Sequence, residues 1–393
     1  GVYVNAGSVF SDTFFSENPE AKDWIACDQW GQNRQYSEYY RCYYRWRICA
    51  SNSEFGEYFG NAAVKAIKEA GADFIHFDNS SQWPCYCKKC QEGFVAYVLE
   101  KYPVDHQEGA LTFKERFGHD FKGNFQLPHG TSRQPIDNMP SAREPGIYEW
   151  VRFRQKQYEA LLKNACGMIR EASLGVRIMW NISVDDGEFT GLVCGLDPES
   201  AYRCKTDYFF SEDGNSARIE EGNLIGRIRT YKYGHATRNK VLVHNLSENN
   251  DDEKLLNYAE AAVFNDGCLG RVMWATDPDD GRLDFIKKAI KFFRKHKDVY
   301  VNSQCVSRVA VYRCQESEIA NWMDERISRL SIEQTLIVNS VQYDQIINDT
   351  FDDINKYELL VCANTISVSD AVVEKISDYV RNGGKVLCTE ASF

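Results

Sequence analysis

Short apolar runs that each close on a polar or acidic residue alternate with longer segments of helical period. No other feature constrains the fold of this 393-residue chain as tightly. The runs are Val2 to Asn5, Asp73 to Asp78, Arg177 to Asn181, Asp207 to Ser211, Val241 to Asn245 and Arg271 to Thr276. Between them the spacing predicts helices over 57–71, ended by Gly71, over 149–172 and over 282–297. Strands that recur with a helix between them pair in parallel, because a parallel neighbour is reached only by a long crossover. Six such strands before residue 280 suit an α/β chain built as a (β/α)8 TIM barrel that lacks its first two strands. The stretch from Gly109 to Gly146 is long for a connection, and is expected to be a β→α insertion that serves the site.

Near Val299 the pattern restarts. SRVAVYRC, the helical ESEIANWMDERISRLS, TLIVNS, YELLVCANT, SDAVVEKISDYVRNGG and KVLCTEAS read as a smaller, doubly wound, flavodoxin-like α/β domain. The expected organisation is a barrel over 1–300 and an α/β domain over 301–393. Because the chain opens on GVYVNAGSVF and closes on KVLCTEASF, both strand-like, both ends are expected to be cuts in a longer protein. The second domain's loops carry neither G-x-G-x-x-G nor a P-loop, which argues against a nucleotide cofactor.

A net charge of -11 without a Lys/Arg cluster argues against a nucleic-acid or anionic-membrane partner. No stretch approaches the ~20 apolar residues that cross a bilayer. Of the fourteen cysteines, Cys268, Cys314, Cys362 and Cys388 sit singly in apolar runs, as buried thiols do, so a reducing compartment and a cytoplasmic location are expected. Cys85, Cys87 and Cys90 are different. Their C-x-C-x-x-C spacing directly behind the Asp78 strand brings three thiolates within reach of one tetrahedral ion, with Cys42 and Cys49 both open as the fourth ligand. Four thiolates leave no position for water, so the expected Zn²⁺ is structural and no catalytic cofactor is implied.

The run RICASNSEFGEYF, a strand, then DN and CYCKKCQEGF resemble the family 42 glycoside hydrolases, which are β-galactosidases. That resemblance implies a structural zinc held by Cys49, Cys85, Cys87 and Cys90. YELLVCANTISVSDAVVEKISDYVRNGGKVL is similar to the amidotransferase-like trimerisation domain behind the barrel in the same family, which implies a homo-oligomer. One position departs from the pattern: where family 42 has D-N-E, with Glu as the acid/base, this chain has Asp78, Asn79 and Ser80. The strand GADFIHFDN, with cysteines after it, also resembles the family 151-type α-L-fucosidases, and IHFDN echoes the nucleophile strand of the family 29 fucosidases.

Barrel enzymes collect their chemistry at the C-terminal strand ends. Those ends hold Asp78, Asn181, Asp185, Asp186, Glu212, Asp213, His244, Asn245, Glu248 and Asp277. Glycoside cleavage takes two carboxyl groups, one attacking and one protonating the leaving oxygen, roughly 5 Å apart for retention. Asp78 and Glu212, from strands on one side of the mouth, are the expected pair, with Asp213 competing as acid. His76, in alternation with Asp78, joins Asn79, Trp180, Asn181, Asp213, His244, Asn245 and Trp274 as expected sugar contacts. A serine hydrolase is disfavoured, since G-x-S-x-G is absent. The expected activity is a retaining glycoside hydrolase of α-L-fucosidase type; the alternatives are a β-galactosidase and an inactive carbohydrate-binding barrel.

Overall fold

The computed structural model describes residues 1–39, 43–78, 80, 83–128, 144–182, 195–211, 217–244, 250–272 and 282–392. The chain divides into two compact units, Gly1–Asn181 with Asp186–Ser200, and Ile182–Asp185 with Ala201–Phe393.

In the first unit, β1 (Val2–Asn5), β5 (Phe74–Asp78) and β6 (Arg177–Asn181) form a parallel ladder. All three stand where the apolar runs predict. A second, antiparallel sheet of β2 (Ser8–Phe10), β3 (Gln35–Tyr39) and β4 (Tyr43–Arg47) was not expected. Its sequence, QYSEY and YYRWR, is built from Tyr, Arg and Ser rather than the aliphatic residues that mark a buried strand.

The helix Ser53–Ala70 starts where the Asn52 side chain accepts the Phe55 amide and stops at Gly71, whose φ of 63° suits glycine. Gly60 in its middle lets the helix Pro145–Ala172 approach; a Cβ there would lie 2.3 Å from Met168 Sδ. That second helix begins four residues before the expected 149, because Glu144 caps it through the Ile147 amide and Pro145 fits the first helical turn.

Glu149, on this helix, is fully buried. It accepts from Tyr102 (2.7 Å), Lys101 (2.9 Å), Tyr97 (3.0 Å) and Arg116 (3.1 Å), and so ties together the helices Lys88–Lys101, Phe113–Phe117 and Pro145–Ala172. Burial pushes its carboxyl up, but Lys101 and the tyrosine hydroxyls outweigh it and hold the group below its usual value. Glu149→Ala is expected to destabilise the protein by about 3 kcal/mol, since it strands two cations and two hydroxyls. Thermal unfolding should show a Tm drop of roughly 6–12 °C, and a smaller one for Glu149→Gln, which keeps the shape. Because the carboxyl is depressed in the folded state, this contribution is present above about pH 4.5 and fades as the pH falls through the folded value.

In the second unit, β7 (Tyr208–Ser211), β10 (Lys240–His244) and β11 (Arg271–Val272) run parallel, and β8 (Arg218–Glu220) and β9 (Asn223–Ile225) form a hairpin. β12 (Val309–Tyr312), β13 (Tyr343–Ile346), β14 (Leu359–Ala363) and β15 (Lys385–Thr389) make a parallel sheet in the order β13-β12-β14-β15, with Tyr312, Ile346, Phe351, Leu360 and Ile376 in its core. Strand β1 has one neighbour, β5, and β11 has one, β10. Among the described residues the parallel strands are therefore open ladders rather than a closed barrel. Among these residues, too, no cysteine is in a disulfide, and no helix is long and apolar enough to cross a membrane.

Candidate active site and cysteine cluster

Strand alternation decides which side chains meet at the C-terminal end of β5. Ile75 and Phe77 are buried on one face, which leaves His76 and Asp78 on the other. Parallel register sets Tyr3 beside His76 and Asn5 beside Asp78. Both carboxylate oxygens of Asp78 are held: the Tyr3 hydroxyl donates to Oδ2, and Asn181 Nδ2 donates to Oδ1 at 2.5 Å. His76 Nε2 lies 4.0 Å from Oδ1, and its ring stands edge-on to Tyr3 with centroids 5.5 Å apart. Burial lowers the imidazole below its usual 6.5, against the opposing pull of Asp78. Partial burial and the bond to Asp78 raise the Tyr3 phenol, which therefore stays a proton donor to the carboxylate.

Asp78, His76 and Asn181 are thus brought together. Trp180 is not among them: it pairs in register with Phe77, on the opposite face of the strand, where it is 1% exposed with its ring 6.1 Å from that of Tyr158. Ser80 is buried, and its hydroxyl donates back to the Phe77 carbonyl at 3.0 Å. Asn79, Glu212, Asp213, Asn245 and Trp274 lie outside the described residues, and His244 is described only as the last residue of β10.

The antiparallel sheet adds a second row of groups. Asn5 Oδ1 accepts from the amides of Gly7 (3.2 Å) and Ser8 (3.0 Å) and from the Ser8 hydroxyl (3.2 Å), which fixes the turn into β2. Ser8 Oγ in turn accepts from Arg45 Nε and Nη2 at 3.3 and 3.2 Å. Arg45 and Arg47 both lie over the Tyr36 ring, 4.1 and 3.7 Å from its centroid. None of Tyr3, Asn5, Tyr36, Arg45 or Arg47 was singled out in the sequence. A signal for the first two existed, since VYVN alternates in phase with FIHFD.

Behind the site, the sulfurs of Cys49, Cys85, Cys87 and Cys90 all lie within 4.8 Å of one another. Cys49 Sγ is 3.4 Å from Cys90 Sγ and 3.7 Å from Cys87 Sγ, close to the ~3.8 Å edge of a tetrahedron of thiolates around zinc at 2.3 Å. The Cys27 amide donates to Cys85 Sγ at 3.4 Å, and Ser51 Oγ is 3.1 Å from Cys90 Sγ, contacts suited to charged sulfurs. The four residues fit one metal ion with a closed coordination sphere.

No protein-family model matches the chain, and no curated protein matches it. Solved structures do. A family 42 β-galactosidase from G. stearothermophilus superposes with a TM-score of 0.72 at 14% identity, covering 98% of this chain and 60% of its own. The β-galactosidase from Rahnella sp. R3 gives 0.73 at 13%, covering 99% and 60%. The α-L-fucosidase isoenzyme 2 from Paenibacillus thiaminolyticus gives 0.50 at 14%, covering 98% and 51%. The chain thus spans about three fifths of the length of these β-galactosidases. Over that span its fold is similar to theirs: an α/β fold on parallel strands.

Proposed function

We propose that the chain is a retaining glycosidase in which Asp78 is the nucleophile. One observation carries this reading: a carboxylate fixed through both oxygens at the C-terminal end of a parallel strand, in a fold similar to that of glycoside hydrolases. In a retaining reaction the attacking carboxylate must be ionised and aimed at the anomeric carbon. Tyr3 and Asn181 aim it, because a donor to each oxygen removes rotation about the Cβ–Cγ bond. As the glycosyl ester forms, charge leaves Asp78 and both bonds weaken; they regain strength as water releases the sugar.

The acid that protonates the leaving oxygen must come from elsewhere. Where family 42 carries its acidic Glu, this chain has a buried serine bonded to its own strand. Glu212, directly after β7, is our assignment, with Asp213 as its competitor. His76, Asn79, Asn181, His244, Asn245 and Trp274 are proposed to meet sugar hydroxyls; Trp180, on the other face, is not. The ion we assign to the four cysteines is Zn²⁺, which would brace the segment leaving Asp78 and take no part in the reaction. The β12–β15 sheet is proposed as the amidotransferase-like domain, and the assembly as a homo-oligomer.

The substrate class we favour is a terminal β-galactoside. The superpositions, 0.72–0.73 on the β-galactosidases and 0.50 on the fucosidase, support this alternative over the α-L-fucosides expected first from the sequence. A panel of aryl β-D-galactoside, α-L-fucoside, α-D-galactoside and α-L-arabinoside tests this. Release of phenol fastest from the β-galactoside is expected. Thermal stabilisation by sugars with no turnover of any glycoside would make the chain a carbohydrate-binding barrel instead.

A further inference from the structure

In the second unit a buried ammonium stands against an exposed sulfur, and no step at Asp78 uses either. Lys232, in the helix Ile228–Ala236, has only 4% of its side chain exposed. Its Nζ lies 5.5 Å from the centre of the Phe264 ring and 5.6 Å from that of Tyr343, within the range where a ring face attracts a cation. The same nitrogen donates to Asp344 Oδ1 at 3.2 Å and to Cys305 Sγ at 3.0 Å. Two rings and a carboxylate therefore fix the ammonium, and one of its N–H groups is directed at the sulfur. Cys305 itself is exposed, with Gln342 Oε1 3.8 Å from its Sγ.

Cys305 also borders a cavity of about 420 Å³. Phe264, Val299, Tyr300 and Val306 give that cavity an apolar wall, which Val306, 87% exposed, carries out to solvent. A volume of this order suits a small organic molecule. A second cavity, of about 400 Å³, shares His235 and Cys305 with the first. Reactive cysteines stand in such surroundings, partly exposed and beside a cation, because the thiolate is the nucleophile and a cation stabilises it. Cys388, the other exposed cysteine among the described residues, is set differently: burial raises its thiol, as it does those of Cys268, Cys314 and Cys362.

We propose that Cys305 is a modification site, whose sulfur adds to a small α,β-unsaturated carbonyl compound seated by its apolar body in the cavity. The sulfur–carbon bond forms at the carbon β to the carbonyl as the C=C π bond breaks and its electron pair moves to the carbonyl oxygen. The thiol proton, carried by water, ends on the α-carbon. Nothing is oxidised, and no group leaves.

Brief exposure of the whole chain to a limiting amount of maleimide or N-phenylmaleimide, followed by digestion and mass spectrometry, reads the rate at each cysteine. Cys305 is expected to be labelled at least about fivefold faster than Cys388. The phenyl group should raise the rate at Cys305 at least about threefold more than at Cys388, because only Cys305 has the apolar wall beside it. Lys232→Gln should lower the Cys305 rate at least about fivefold and leave Cys388 unchanged. If that variant fails to fold, Val306→Ser, at an exposed position, should abolish the phenyl preference at Cys305 alone. Equal labelling of the two cysteines, a phenyl effect common to both, or a Cys305 rate unchanged in Lys232→Gln would each overturn the proposal. None of these measurements involves glycoside turnover, so their failure leaves the reading of Asp78 untouched, and the reverse also holds.

Discussion

Asp78→Ala should lower kcat on an activated aryl glycoside by roughly 10³-fold or more, equivalent to at least about 4 kcal/mol of transition-state stabilisation. The effect is large because the carboxylate forms the covalent bond itself, and neither donor around it can replace it. Tyr3 and Asn181 lose their acceptor, but the Asp78 side chain is 17% exposed, so water can reach both and the cost to stability is about 1–2 kcal/mol. Circular dichroism of the variant should match the parent. Asp78→Asn keeps the shape and should be as inactive. Azide fits the space vacated in the Ala variant and should restore turnover, releasing a glycosyl azide of inverted configuration. Wild-type rates in either variant would remove Asp78 from the reaction.

The second large effect concerns the cysteine cluster. Purified protein is expected to hold one zinc per chain, and Cys90→Ser or prolonged chelation should unfold much of the first unit. Structural zinc contributes on the order of 10 kcal/mol of binding free energy to folding, comparable to the whole stability of a domain. The cluster lies in one core with Phe94, Val98, Trp150 and Phe153, and loss of the ion would leave mutually repelling thiolates buried there. A Tm drop of more than 10 °C on chelation, reversed by zinc and not by magnesium, is the expected readout. Metal-free protein with unchanged Tm would show that the four sulfurs are only packed thiols.

Much of the fold was legible because aliphatic runs and helical spacing report burial, which is what builds strands and helices. β1, β5, β6, β7, β10 and β12 all stand where that pattern put them, and Gly71 ends its helix as expected. The antiparallel sheet was missed because β3 and β4 are stabilised by stacked Tyr and Arg side chains, which carry no aliphatic signature. The geometry of the candidate site was legible where alternation could be followed along one strand, which put His76 and Asp78 on one face. It was not legible where it depends on a register between distant strands: Tyr3 and Asn5 reach Asp78 only because β1 lies beside β5. Trp180 misled for the same reason, since a residue's place near a strand end does not say which face it takes. The cysteine set followed from family resemblance; spacing alone left Cys42 and Cys49 equally open.

Trapping the glycosyl intermediate tests the central claim most directly. The chain is incubated with a 2-deoxy-2-fluoro glycosyl fluoride of the sugar that it turns over, digested with a protease, and the labelled peptide sequenced by mass spectrometry. The adduct is expected on Asp78, with none in the Asp78→Asn variant. An adduct on any other carboxylate, Glu212 and Glu248 included, with Asp78 unmodified, would contradict the mechanism.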